Sequence, residues 1–257
     1  MLRSRSPWGC AIIVGASSGI GAALARRLGE AGCRLALLAR REAELAHLSD
    51  TINRGASASV PRALARPYVH DVTRSTEVPS LFARVAADLG GLDLVIYAAG
   101  VMPHVGEAEY CLEKDRLTVE VNLLGAIAWL NQAAECFVRS QAGTIVGISS
   151  VAGDRGRRGN PAYCASKAAL DAYLEALRHR LVRSGVTVVT AKPGPVDTRM
   201  SAGVRRRPFL ISADRAARQI LAAARRGTPV AYVPGLWRPV MCAIRSLPHA
   251  LFARLDI

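Results

Sequence analysis

Disulfide and zinc-binding patterns are missing from this sequence. Its 257 residues include six cysteines, Cys10, Cys33, Cys111, Cys136, Cys164 and Cys242, and no two are spaced Cys-x-x-Cys. That excludes a small disulfide-built scaffold or a zinc ribbon and leaves buried or partly buried thiols in a reducing compartment. His104, His179 and His249 stand apart without ligand spacing, are expected at the surface, and give no reason to expect a metal. No apolar run approaches the roughly 18 residues of a membrane span. The basic start at Arg3 and Arg5 leads into an apolar run from Cys10 that breaks at Gly15, with no small-residue cleavage site. No export signal is expected, and a cytoplasmic location is.

Lysine and acidic residues are also scarce. Of 34 basic residues 31 are arginine, and 20 acids leave a formal charge of +14. From Arg199 onward, 11 arginines face only Asp214 and Asp256, a surplus of +9 over 59 residues. A basic patch can serve nucleic acid or an anionic membrane. None of the usual nucleic-acid-binding motifs accompanies this one, and an arginine bias can equally be compositional, so no nucleic-acid partner is expected.

The chain does have apolar residues in quantity: 51% hydrophobic against 21% charged, enough for a sizeable core and too many for a disordered chain. Short apolar runs at Cys10–Gly15, Arg34–Ala39, Pro67–His70, Leu92–Ala98, Thr144–Ser149, Thr187–Lys192 and Val230–Val233 read as strands covered on both faces. Between them, apolar residues recur at three- and four-residue intervals over 19–31, 41–53, 76–89, 116–139, 161–184 and 213–226, the helical spacing. The alternation predicts an α/β fold, a Rossmann-type doubly wound parallel sheet of about seven strands with helices on both faces. No repeat or Pro/Gly/Ser-rich linker divides it. One domain is expected, residues 1–235, with 236–257 as a basic amphipathic C-terminal tail of the same domain.

The run Gly15-Ala16-Ser17-Ser18-Gly19-Ile20-Gly21 follows the first strand and opens a helix. Glycines there let the backbone turn tightly and approach a pyrophosphate, to which the helix N-terminus offers unpaired amides. About 20 residues on, a NAD site offers an acid to the adenosine ribose. This chain has Arg40 and Arg41. Two guanidiniums suit a 2′-phosphate and hence NADPH/NADP over NAD; the other reading is a solvated helix start. Asp71 in His70-Asp71-Val72 either lies near the adenine or caps the following loop.

Tyr163 and Lys167 lie four apart on one predicted helix face, and Ser150, 13 residues before Tyr163, follows the fifth strand. An ammonium at Lys167 and an oxidised nicotinamide favour phenolate over the phenol's ordinary pKa of about 10. Tyr163 can then exchange a proton with a carbonyl oxygen as hydride moves, while Ser150 hydrogen-bonds that oxygen.

With the glycine motif, Asn122 in Val121-Asn122-Leu123-Leu124-Gly125, Ser150, Tyr163-Cys164-Ala165-Ser166-Lys167 and Pro193-Gly194-Pro195-Val196-Asp197-Thr198 in this order, the chain resembles the short-chain dehydrogenase/reductase family. The resemblance implies a catalytic set of Asn122, Ser150, Tyr163 and Lys167, with Asn122 fixing a relay water and Lys167 also holding the nicotinamide ribose. It implies cofactor contacts at Gly15, Ser17, Ser18, Gly19, Ile20, Gly21, Arg40, Arg41, Asp71, Val72, Ala99, Gly100, Tyr163, Lys167, Pro193, Gly194, Val196 and Thr198. It also implies a homodimer or homotetramer through the helices at 116–139 and 161–184. One departure is Tyr97-Ala98-Ala99-Gly100, where the family has Asn-Asn-Ala-Gly; the side-chain support of those two asparagines is lost.

Two segments bear on substrate. Gly153–Asn160 carries Arg155, Arg157 and Arg158 at the site rim, suited to a phosphate diester or simply solvated. The tail, apolar with spaced arginines, suits a membrane interface or packs on its own domain or a neighbouring subunit. Together with the run Thr198–Ala202 they are similar to a subfamily whose members reduce a 2-keto sugar on decaprenyl phosphate alongside a partner oxidase. That implies ketone reduction on a lipid-linked substrate, peripheral at the inner face of the membrane. The alternatives are another hydrophobic ketone or alcohol (3-oxoacyl, steroid or xenobiotic carbonyl), or a non-catalytic NADP-binding scaffold.

Overall fold

In the computed structural model the described residues are 6–55, 64–106, 108–203 and 207–254. The basic start at Arg3 and Arg5, and the tail from Leu255 onward, lie outside them. Seven parallel strands form the central sheet: β1 (Cys10–Val14), β2 (Arg34–Ala39), β3 (Ala65–Val69), β4 (Leu94–Tyr97), β5 (Gly143–Ile148), β6 (Val186–Pro193) and β9 (Val230–Val233), in spatial order β3-β2-β1-β4-β5-β6-β9. Two strands the apolar pattern does not show, β7 (Val196–Asp197) and β8 (Ile211–Ser212), pair beside it. They are only two residues long, too short for an alternation to register.

Sandwiching the sheet are α1 (Gly19–Glu30), α2 (Glu42–Arg54) and α7 (Ala213–Arg225) on one face, and α3 (Val78–Leu89), α5 (Gly125–Ser140) and α6 (Pro161–Leu181) on the other. Each face has its own apolar core, and β1 and β4 are buried throughout because both layers cover them. Gly29 of α1 lets α2 approach closely, since a Cβ there would lie 2.5 Å from Ile52. The strand order reverses between β1 and β4, and beyond their carboxyl ends lies the crevice where open α/β sheets hold ligands.

The helix expected over 116–139 is not continuous. It starts earlier, as α4 (Leu112–Val119), passes through one π turn at Glu120–Leu124, and resumes as α5. In the π turn the Gly125 amide donates to the Glu120 carbonyl, five residues back instead of four. The tail is ordered as α8 (Trp237–Ser246) and α9 (His249–Phe252). The apolar face of α8 packs on its own domain: Trp237 and Met241 are buried with Val151, and Val240, Ile244 and Tyr232 pack against them. All six cysteines are free, and Cys242 is exposed, contrary to expectation, because it lies on the outer face of α8. His104, His179 and His249 are exposed as expected.

Candidate active site

The segments that leave β1 to β6 and the first turns of α1 and α6 border the crevice. Gly15 turns the chain out of β1 with φ +90°, and a Cβ there would lie 2.3 Å from the Ala99 amide nitrogen. A Cβ on Gly21 would lie 2.1 Å from the Gly15 carbonyl. These two glycines therefore let α1 begin directly against β1 and β4. Ser18 makes no side-chain cap, so the first amides of α1, at Gly19, Ile20 and Gly21, have no side-chain acceptor. Thr198, closing over from beyond β6, comes within 3.1 Å of where a Gly19 Cβ would be.

Behind the turn, the Arg41 guanidinium donates to both Ser17 Oγ and Ser18 Oγ at 2.7 Å. Arg40 lies 3.8 Å from Asp71. Burial raises the Asp71 pKa, but hydrogen bonds from the Thr73 amide and hydroxyl, with Arg40 nearby, outweigh it and hold the carboxyl below its usual range. Asp71 therefore caps its own loop, one of the two readings left open above, and lies beside Arg40. A glycine-lined turn, uncapped helix amides and two serine hydroxyls under a guanidinium fit a dinucleotide pyrophosphate and the adenosine end. Gly15, Ser17, Ser18, Gly19, Ile20, Gly21, Arg40, Arg41 and Asp71 would hold it.

The proton-transfer residues come from the π turn (Asn122), the segment just after β5 (Ser150) and the first two turns of α6 (Tyr163 and Lys167). Asn122, wholly buried in the π turn, accepts from the Val101 amide (2.8 Å) and donates to the Val101 carbonyl (3.0 Å) and Ser166 Oγ (3.1 Å). Gly100 lies beside it: a Cβ there would be 3.3 Å from Asn122 Oδ1 and 3.7 Å from Lys167 Nζ. Ser150 caps a short turn by accepting from the Ala152 amide at 3.1 Å, and its hydroxyl faces the Pro193 carbonyl at 3.4 Å. Lys167 Nζ donates to the Ile148 carbonyl at 2.9 Å and lies 5.7 Å from the Tyr163 ring centroid.

Burial sets both titrating groups. It pushes the Lys167 ammonium down to about 8, partly offset by Asp171. It pushes the Tyr163 phenol up, against the lowering influence of a Ser150 hydrogen bond and of Arg157. The expected depression of Tyr163 is thus not a property of the protein groups alone: Lys167 is itself strained toward neutrality, and enclosure dominates. When bound, a nicotinamide supplies or accepts the hydride; the protein's part is to hold the carbonyl oxygen between Ser150 and Tyr163 and to pass the proton.

Sequence reasoning missed a buried ionic hub beneath this set. Lys192 Nζ bonds Asp154 and lies 2.9 Å from Asp171 Oδ2, while Tyr232 Oη donates to Asp154 at 2.9 Å. Burial lowers the Lys192 pKa, but the two carboxylates outweigh it and keep the ammonium charged. The hub ties β6, α6, β9 and the loop before Tyr163 together. Its one legible sign was Asp171, four residues after Lys167 on the same helix.

The rim arginines divide. Arg155 donates to the Ile244 carbonyl and, at 2.8 Å, to that of Leu247, and its guanidinium lies 4.0 Å above the Phe252 ring. Arg158 donates to the Ala253 carbonyl at 3.0 Å. Both serve the tail. Arg157 has no ion pair or side-chain hydrogen bond among the described residues, and its charge bears on Tyr163. Gly194, with its amide on the Val233 carbonyl at 2.9 Å, lies beneath Trp237. Val72 is buried against Gly125, and Val196 is buried in β7.

The family model described as short chain dehydrogenase matches residues 9–208, which include every residue of the proton-transfer set. The chain belongs to the short-chain dehydrogenase family. It is 32% identical over 245 residues to an uncharacterized oxidoreductase of Mycobacterium tuberculosis, covering 95% of both chains. An uncharacterized oxidoreductase of Myxococcus xanthus is 35% identical over 192 residues, 75% of this chain and 74% of that one. Among solved structures, a variant of actinorhodin polyketide ketoreductase with NADPH superposes with a TM-score of 0.78 at 27% identity, covering 90% of this chain and 97% of that one. This short-chain dehydrogenase is therefore an oxidoreductase whose family uses a nicotinamide dinucleotide. The scaffold alternative finds no support in a site where Ser150, Tyr163, Lys167 and Asn122 are all in place. No helix among the described residues is long and apolar enough to cross a membrane.

Proposed function

We propose that this oxidoreductase uses NADPH to reduce a ketone to a secondary alcohol. The observation that carries the reaction is the grouping of Ser150 after β5 with Tyr163 and Lys167 on α6: a phenol, protonated at neutral pH, stands where it can donate to a carbonyl oxygen beside the Ser150 hydroxyl as hydride arrives. Arg40 and Arg41, in place of the acid a NAD site presents, favour the 2′-phosphate cofactor.

For the substrate we propose a polyprenyl-phosphoryl keto-sugar, made by a partner oxidase. Arg157 is the rim guanidinium free to take a phosphate diester, and exposed Met200, Phe209, Leu210 and Leu236 offer apolar surface to a lipid. The protein then works as a cytoplasmic dimer or tetramer at the inner face of the membrane. Because the apolar face of α8 is spent on its own domain, contact with anionic lipid runs through exposed Arg238 and Arg245, and flotation with anionic liposomes falls as salt rises. A second reading, reduction of a phosphate-free 3-oxoacyl or polyketide ketone, is favoured by the likeness to a polyketide ketoreductase.

Purified enzyme with NADPH separates these readings. Turnover of the polyprenyl-phosphoryl keto-sugar that drops at least about tenfold in Arg157→Ala supports the first. Turnover of 3-oxoacyl thioesters alone, indifferent to Arg157, replaces it with the second. Oxidation of alcohols with NAD and no ketone reduction overturns both.

A further inference from the structure

The π turn that carries Asn122 has an uncommon support. In a continuous α-helix the Gly125 amide would donate to the Val121 carbonyl; here it reaches the Glu120 carbonyl, and that partner of Val121 is gone. The Tyr97 hydroxyl takes its place, donating to the Val121 carbonyl at 2.6 Å inside a fully buried site. Leaving such a carbonyl unpaired in apolar surroundings is costly. Tyr97 is the last residue of β4, paired with Val14 of β1 and Gly147 of β5, so its ring is held by the most buried part of the sheet.

Space for the phenol comes from the residue that ends the π turn. A Cβ on Gly125 would lie 2.6 Å from Tyr97 Oη and 3.0 Å from Val72 Cβ. Strand, phenol, carbonyl and glycine therefore form one fitted contact. Asn122, next in the chain after Val121, is bonded in turn to Val101 and Ser166 and shares the Gly100 niche with Lys167. Burial pushes the Tyr97 phenol well above its ordinary pKa, so it remains a donor throughout the working range.

We propose that Tyr97 is a positioning residue for catalysis, its hydroxyl fixing the π turn so that Asn122 stays in register with Lys167. The phenol touches neither substrate nor cofactor; it acts through the Val121 carbonyl. This role rests on the oxidoreductase reading of the site, but not on which ketone is reduced.

Tyr97→Phe removes only the hydroxyl and keeps the ring packing. Two readouts follow: steady-state kinetics with NADPH and the best ketone found, and amide hydrogen exchange across 98–104 and 118–126. The expected result is a kcat about tenfold lower with KM for NADPH within about twofold, since a contact acting on the chemical step alone leaves cofactor binding intact. Exchange at Val101 and through 120–125 rises at least tenfold, while β1 and α1 keep their protection. A hydroxyl that merely stabilises the fold would lower Tm and leave kcat of the folded enzyme unchanged; that outcome overturns the proposal, as does unaltered exchange. Should Tyr97→Phe fail to fold, Gly125→Ala displaces the same hydroxyl from the other side, and the same two readouts decide. Absence of turnover in the wild type would sink the proposed ketone reduction, whereas the exchange comparison still judges Tyr97.

Discussion

The Trp237 indole occupies the space that a side chain on Gly194 would need: a Cβ at 194 would lie 1.9 Å from Trp237 Nε1. Through this contact the C-terminal helix α8 is seated on the Pro-Gly segment that leaves β6. Gly194→Ala must displace the indole, an overpacking change of about 1–3 kcal/mol. A chain of this size should then lose roughly 4–8 °C in Tm for 2 kcal/mol, with a change in tryptophan emission. An unchanged melting curve would mean that α8 is not seated there in solution.

A second tie to the tail is Arg155. Its guanidinium satisfies the carbonyls of Ile244 and Leu247 and covers Phe252, bridging the loop before Tyr163 to both C-terminal helices. Arg155→Ala should release the tail, so that limited trypsin digestion cuts after Arg245 several times faster than in the wild type. Arg155→Lys should rescue little, because one ammonium cannot reproduce a planar fork with an aromatic stack. Equal digestion rates in all three proteins would argue against the latch.

The depressed Lys167 pKa has opposite consequences for activity and for stability. Below about 8 the ammonium is present in the folded protein; above it the charge is lost, so kcat/KM should fall as pH rises through about 8. Because the unfolded chain keeps its proton up to the ordinary value of 10.5, folding stability should rise between about 8 and 10.5, as burial of the charge ceases to oppose folding. That drop in pKa corresponds to about 3 kcal/mol. Lys167→Met should accordingly be inactive yet melt higher than the wild type at pH 7, and should lose the rise in stability at alkaline pH. A pH-independent Tm difference would show that the ammonium is not strained.

Cofactor choice should follow Arg41, whose guanidinium lies on both serine hydroxyls of the glycine turn. Removing one charge-assisted contact to a phosphate costs about 1.5–3 kcal/mol. Arg41→Ala should therefore raise KM for NADPH about 10- to 100-fold and leave KM for NADH within a factor of two. Equal effects on both cofactors would mean that Arg41 only braces Ser17 and Ser18.

Much of the site is legible in the sequence because its chemistry ties residue types to spacing. The glycine turn must follow a strand, and Tyr163 and Lys167 must share a helix face. Both requirements show in one dimension, and the sheet follows from the alternation of apolar runs with helical periods. What escapes sequence reading depends on contacts between distant segments. A π turn adds one residue to a helical turn without changing its apolar character, so residues 116–139 read as a single helix. Arg155 and Ile244, or Lys192 and Asp154, meet only once the chain has folded, and three rim arginines look alike until the tail takes up two of them. The apolar face of α8 reads equally as a partner for lipid or for protein in one dimension; it packs on Val151 and Gly194, and neither is near it in sequence.

The most direct test of the account is NADPH consumption with a ketone substrate in the wild type and in Tyr163→Phe, with cofactor affinity measured in parallel by nicotinamide fluorescence. The account predicts turnover in the wild type, a loss of about 10²–10⁴-fold in kcat in the variant, and the same Kd for NADPH in both. Comparable turnover in Tyr163→Phe, or NADPH binding with no ketone reduced by the wild type, would contradict it.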